Sequence, residues 1–105
     1  MVFVETPLFT AQLRTMLDDD EYRALQLALG LRPDQGALIR GSGGLRKVDG
    51  AYAADGSVGG VRVIYYWATG EATIMMLHLY TKQAQGDLTA AQVRQRARLV
   101  REEFK

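Results

Sequence analysis

Arg62, His78, Tyr80 and Lys82 are of the types that move protons and stabilise anions, and their spacing lets one pair of strands gather them. Arg62 lies in Val61 to Trp67, a run rich in β-branched and aromatic residues, and the other three alternate along a second run, Ala72 to Lys82. Thr69-Gly70-Glu71 reads as the turn between them. Closing the pair with those three residues sets Arg62 opposite His78, with Tyr80 diagonal to Arg62 and Lys82 beyond it at the strand's end. Arg46 and Lys47 on the preceding segment extend the group. Cleaving RNA without a metal needs a base for the 2′-hydroxyl, cations to stabilise the phosphorane and an acid for the leaving oxygen. Arg62 suits the transition-state charge, Lys82 the phosphate, and Tyr80 or His78 the proton transfers, while Arg46 and Lys47 suit RNA binding. Tyrosine titrates ordinarily near pH ~10, so neighbouring cations must depress it before it acts as a base. An isolated histidine on a strand is more often a hydrogen-bonded structural residue than a catalyst.

The elements that must position these groups are legible in outline. Phe3-Val4 reads as a short opening strand. Thr6-Pro7 starts a first helix, with threonine capping and proline at the first helical position, and Phe9, Leu13, Met16 and Leu17 form its buried stripe. Asp18 and Glu21 form a capping arrangement for a second helix with the stripe Tyr22, Leu25, Ala28 and Leu29, ended by Gly30. Residues 45–49 read as a strand, and Gly50 to Gly60 as a hairpin connection. Thr89 and Gln92 make a capping box for a last helix, with Leu88 and Val93 as a staple and Val93, Ala97, Val100 and Phe104 as its apolar face. The order β-α-α-β-β-β-α fits an α+β fold: a small antiparallel sheet covered on one face by an N-terminal helical hairpin and a C-terminal helix. Alternation puts Val61, Val63, Tyr65 and Trp67 on one side of the first strong strand. It likewise puts Thr73, Met75, Leu77 and Leu79 on one side of the second, with both apolar sets turned to the helices.

Composition narrows the possibilities further. With 105 residues, 48% of them apolar and 24% charged, the chain makes one globular domain spanning 1–105. Cysteine is absent and histidine occurs once, which excludes disulfides, cysteine nucleophiles and thiolate metal sites. No metal and no cofactor is expected. The apolar runs are too short for a membrane span and no basic-then-apolar leader opens the sequence, so a soluble cytoplasmic domain is expected. The net charge of +1 is unevenly spread, acidic before residue 32 and basic after it, which directs any polyanion site to the last two thirds of the chain. Arg94, Arg98, Arg101 and Lys105 form a basic helical ridge of the kind that is usually solvated surface. Gly41-Ser42-Gly43-Gly44 lacks the Gly-Lys-Ser/Thr ending of a phosphate-binding loop.

An ordered series of short motifs carries a family resemblance: Phe3-Val4-Glu5-Thr6-Pro7, Glu21-Tyr22-Arg23-Ala24-Leu25-Gln26, Gly41-Ser42-Gly43-Gly44-Leu45-Arg46-Lys47, Gly59-Gly60-Val61-Arg62-Val63-Ile64-Tyr65-Tyr66, Tyr80-Thr81-Lys82 and Asp87-Leu88-Thr89. Together they resemble the HigB-like branch of the RelE/ParE superfamily, toxins of bacterial type II toxin–antitoxin pairs. The resemblance implies a helix-packed sheet, metal-free mRNA cleavage on the ribosome and neutralisation by a cognate antitoxin protein. By motif, Arg62 matches the arginine opening the central strand, Lys82 the lysine closing the next, and Arg46 and Lys47 basic residues of the strand before. The chain departs from the pattern at 49–58, where a loop rich in arginine and lysine is replaced by Asp49, Asp55, alanine and glycine. That replacement marks an attenuated, diverged or engineered variant. It supports an alternative reading, a non-catalytic toxin-fold binding protein that inhibits gyrase or occupies an antitoxin.

Overall fold

Thr6 ends the first strand and caps the first helix: its hydroxyl accepts from the Phe9 backbone N–H at 3.2 Å, with Pro7 at the first helical position. A computed structural model describes residues 1–49 and 60–104, so the expected hairpin at 50–60 and most of the acidic stretch at 49–58 lie outside the described residues, as does Lys105. The elements are β1 (Val2–Glu5), α1 (Pro7–Met16), α2 (Asp19–Leu31), β2 (Ala37–Leu38), β3 (Leu45–Asp49), β4 (Val61–Ala68), β5 (Thr73–Thr81) and α3 (Ala90–Glu103). Asp18 and Glu21 form the expected capping box on α2, and Thr89 and Gln92 the one on α3. α2 runs through Gly30 to Leu31 rather than ending at the glycine; Arg32 closes it through an N–H bond to the Ala28 carbonyl, and Pro33 follows.

The five strands form one sheet in the order β1-β5-β4-β3-β2. Its pairs are antiparallel except β1 with β5, which are parallel, so the sheet is mixed where an antiparallel one was expected. β2 is an additional short strand that the glycine-rich sequence around it conceals.

Helices cover both faces, not one. On the first face Phe9 and Leu17 at α1, with Leu25 and Leu29 of α2, pack against Val61, Val63, Tyr65, Ile74, Met76 and Leu79. On the second, Val100 of α3, flanked by Leu99 and Phe104, packs against Leu45, Ile64, Met75, Leu77 and Tyr80. Strict alternation groups Met75, Leu77 and Leu79 together, yet Leu79 lies with the first cluster and the other two with the second. The cause is a β-bulge. Ile64 pairs with His78 but Tyr65 pairs with Met76, so Leu77 is an extra residue and the alternation changes phase there.

The bulge also corrects the expected register, because Arg62 pairs with Tyr80 and His78 faces Ile64. The β4–β5 connection is longer than three residues: Ala68 pairs with Thr73 across a 3₁₀ turn at Thr69–Glu71, and Ala72 takes a left-handed conformation at φ 50°. Tyr65 crosses from β4 to the α2–β2 connection, its hydroxyl donating to the Pro33 carbonyl at 2.8 Å and accepting from the Gly36 N–H at 2.9 Å. Gly36 is needed there, since a Cβ would lie 2.7 Å from that hydroxyl and 3.0 Å from the Lys47 carbonyl oxygen.

Candidate functional site

Strand pairing lines up Asp49, Arg62 and Tyr80 across β3, β4 and β5, and Lys47, Ile64 and His78 in the next row on the same face. The first row builds the site. Arg62 Nε donates to Asp49 Oδ1 at 3.3 Å, and Lys82 Nζ, just past the end of β5, reaches Asp49 Oδ2 at 3.1 Å. One carboxylate therefore joins the two cations expected to act together. On the other flank Asp87 Oδ1 lies 3.1 Å from both Arg62 Nη1 and Lys47 Nζ, and the Gly86 carbonyl accepts from Arg62 Nη1 at 2.8 Å. Lys47, Arg62 and Lys82 are thus brought into one cluster with Tyr80.

The electrostatics follow from these contacts. Burial works against the charge on Arg62, but Tyr80 and Asp49 beside it outweigh that and raise its pKa above the ordinary guanidinium value. Asp49 is lowered from the usual carboxylate range, chiefly by its hydrogen bond from Lys82, with burial opposing and Arg62 adding to the effect. The Tyr80 ring is buried, and its enclosed hydroxyl lies beside the Arg62 guanidinium without a hydrogen bond of full geometry among the described residues. Beside it lies a cleft of about 330 Å³, floored by Ile64 and Tyr80 and walled by Ile39, Leu88 and Val93, with Lys47 and Asp87 among its polar lining.

Two expected members stand elsewhere. Arg46 belongs to the opposite face of β3, where its Nη1 donates to the carbonyls of Asp34 and Gly36 at 3.0 and 2.8 Å and ties down the α2–β2 connection. His78 is buried beneath α3. Its Nδ1 accepts from Arg96 Nε and Nη2 at 3.2 and 3.0 Å, and because a guanidinium only donates, the ring is neutral with its proton on Nε2. Burial first, and the Arg96 charge second, lower the His78 pKa to about 4. The His78 ring meets Tyr80 edge-on at 5.4 Å, so it supports the tyrosine from behind.

Three contributors escape the sequence reading. Asp87 is recognisable there only as part of the motif before α3, and nothing local announces that it closes on β3 and β4. Asp49 reads both as the end of the 45–49 strand and as the first acid of the loop that follows; what escapes is its register opposite Arg62. Arg96 carries a usable signal: it stands three residues after Val93 and four before Val100, on the apolar side of α3, and is 5% exposed.

No protein-family model matches the chain. Among solved structures, it is similar to the free state of an Escherichia coli toxin RelE bearing two arginine-to-alanine substitutions. The TM-score is 0.59 at 13% identity, over 94% of this chain and 95% of that one. The chain therefore has a RelE toxin-like α+β fold, with three helices on a five-stranded sheet among the described residues.

Proposed function

We propose that the chain is the toxin of a type II toxin–antitoxin pair, of the HigB-like branch, and that it cleaves mRNA on the ribosome without a metal or cofactor. The observation that carries this reading is the convergence of Lys47, Arg62 and Lys82 beside the buried Tyr80 hydroxyl. In the proposed reaction the 2′-oxygen attacks the adjacent phosphorus and the bond to the 5′-oxygen breaks, leaving a cyclic phosphate and a 5′-hydroxyl. Arg62 stabilises the phosphorane charge, and Lys82 and Lys47 hold the phosphate. Tyr80, directly across from Arg62, is the group for proton transfer to or from the sugar oxygens, because His78 is neutral and engaged by Arg96. Arg46 is left out of this RNA contact, a choice supported by its bonds to the Asp34 and Gly36 carbonyls on the other face. The partners are a cognate antitoxin, the ribosome and mRNA, and the setting is the cytoplasm; no helix among the described residues is long and apolar enough to cross a membrane.

The test is 5′-end mapping of cellular mRNA after induced expression. The parent should produce new ends at ribosome-protected positions, and Arg62→Ala and Lys82→Ala should each reduce them at least tenfold. Undiminished cleavage in both variants would remove these roles. A second reading, a non-catalytic toxin-fold protein that inhibits gyrase or occupies an antitoxin, is favoured by one observation: Asp49 and Asp87 pair with the site's three cations. It predicts no cleavage products from the parent, and DNA-damage signalling if growth slows.

A further inference from the structure

The cations that the proposed reaction requires are engaged within the chain itself. Asp87 sets a single oxygen between the Lys47 ammonium and the Arg62 guanidinium, 3.1 Å from each. An oxygen held between those two groups makes the contact that a non-bridging phosphate oxygen makes with a lysine–arginine pair. We propose that Asp87 is a resident counter-ion in the phosphate seat, an autoinhibitory carboxylate that a phosphodiester must displace from Lys47 and Arg62 in order to bind. This rests on the nuclease reading for the identity of the anion, and adds what governs access to the site.

Asp87 suits the role better than Asp49 does. Asp49 is a strand residue whose Cα is fixed opposite Arg62 in the β3–β4 ladder. Asp87 lies in the connection between β5 and α3, its side chain is 68% exposed, and it can leave the two cations without breaking a ladder hydrogen bond. Arg62, by contrast, is only 20% exposed and keeps the Asp49 carboxylate and the Gly86 carbonyl when Asp87 departs. The seat is therefore preformed on the cation side and closed by Asp87, a partner that can swing away. Asp49 continues to orient Arg62 and Lys82, while Tyr80 stands opposite Arg62 on β5.

The experiment is fluorescence anisotropy of a labelled, non-cleavable 2′-O-methyl single-stranded RNA oligonucleotide at several salt concentrations. Asp87→Asn should bind it about tenfold more tightly, the scale set by two exposed ion pairs no longer competing. The dependence of log affinity on log salt should steepen by about 0.7, as expected when one further phosphate of a single strand is brought into contact. Asp19→Asn, which makes the same change of charge in the exposed first turn of α2, should leave affinity within about twofold. Binding by Asp87→Asn no tighter than the parent, or an equal gain in Asp19→Asn, would overturn the proposal, provided thermal melts show both variants folded. Arg62→Ala separates the two levels. If it weakens RNA binding while Asp87→Asn gains nothing, only the counter-ion role falls; if it leaves the parent's and Asp87→Asn's binding unchanged, the anion seat and the nuclease reading fall together.

Discussion

Replacing His78 by glutamine isolates a pH dependence that the structure places under α3. His78 is buried, neutral, and accepts from Arg96, with a pKa lowered from 6.5 to about 4. The unfolded chain therefore takes up a proton on this ring at a higher pH than the folded chain does. The contribution of His78 to stability is fully present above about pH 6.5 and is lost progressively as the pH falls from there towards about 4. At about 1.4 kcal/mol per pH unit, a displacement of this size corresponds to about 3 kcal/mol, a large share of the ~5–15 kcal/mol that stabilises a domain. Glutamine does not titrate, yet its side-chain oxygen can accept from Arg96. His78→Gln should cost about 1 kcal/mol at neutral pH, where one buried hydrogen bond is exchanged for a poorer one. Urea unfolding of both proteins from about pH 7.5 to about pH 4 gives the two stability curves, and their difference removes the carboxylates common to both. The parent should fall towards the variant and cross it as the solution becomes acid. Parallel curves would refute the reasoning, because they would mean that His78 gains its proton equally easily in both states.

Three further outcomes test the scaffold. Tyr65→Phe leaves the Gly36 N–H and the Pro33 carbonyl without their shared partner, and should destabilise by about 1–3 kcal/mol in urea titration. Ala72→Gly relieves a left-handed residue in the β4–β5 turn and should raise stability by about 1 kcal/mol, visible as a higher melting temperature. Arg46→Gln should lower stability by about 1 kcal/mol through the Asp34 and Gly36 carbonyls it now serves, while RNA affinity measured by anisotropy stays within about twofold; a large loss of affinity would place Arg46 at the nucleic acid after all.

Local chemistry made most of the scaffold legible. Thr6, Asp18 and Thr89 announce the three helix starts because a capping side chain bonds within three residues of itself, and the apolar stripes of α1 and α2 repeat at helical spacing. What escaped depends on distant partners. Parallel pairing of β1 with β5 follows from where α1 and α2 return the chain, and no residue of Val2–Glu5 encodes it. The turn takes in Ala72 as well, and the bulge at Leu77 has neither glycine nor proline to mark it, so a register counted from a three-residue turn assigned Arg62 the wrong partner. The convergence of Arg62, Tyr80, Lys82 and Lys47 was nonetheless readable, since all stand near strand ends that the pairing must bring together. Arg46 was misplaced because two adjacent basic residues on a strand necessarily serve opposite faces. Asp87 lay beyond reach because its partners are forty and twenty-five residues earlier in the chain.

The extra residue in β5 divides that strand into two parts that can vary separately. Ile74 and Met76 before Leu77, and Leu79 after it, face the apolar layer under α1 and α2, while the row of His78 and Tyr80 takes its phase from the bulge. Anyone grafting the Arg62–Tyr80 pair onto another hairpin by copying every second side chain would deliver the tyrosine to the wrong surface. Leu77, a residue with no chemistry of its own, is what sets that phase: without it Met76 and His78 would follow one another in regular alternation, each keeping its partner, Tyr65 and Ile64.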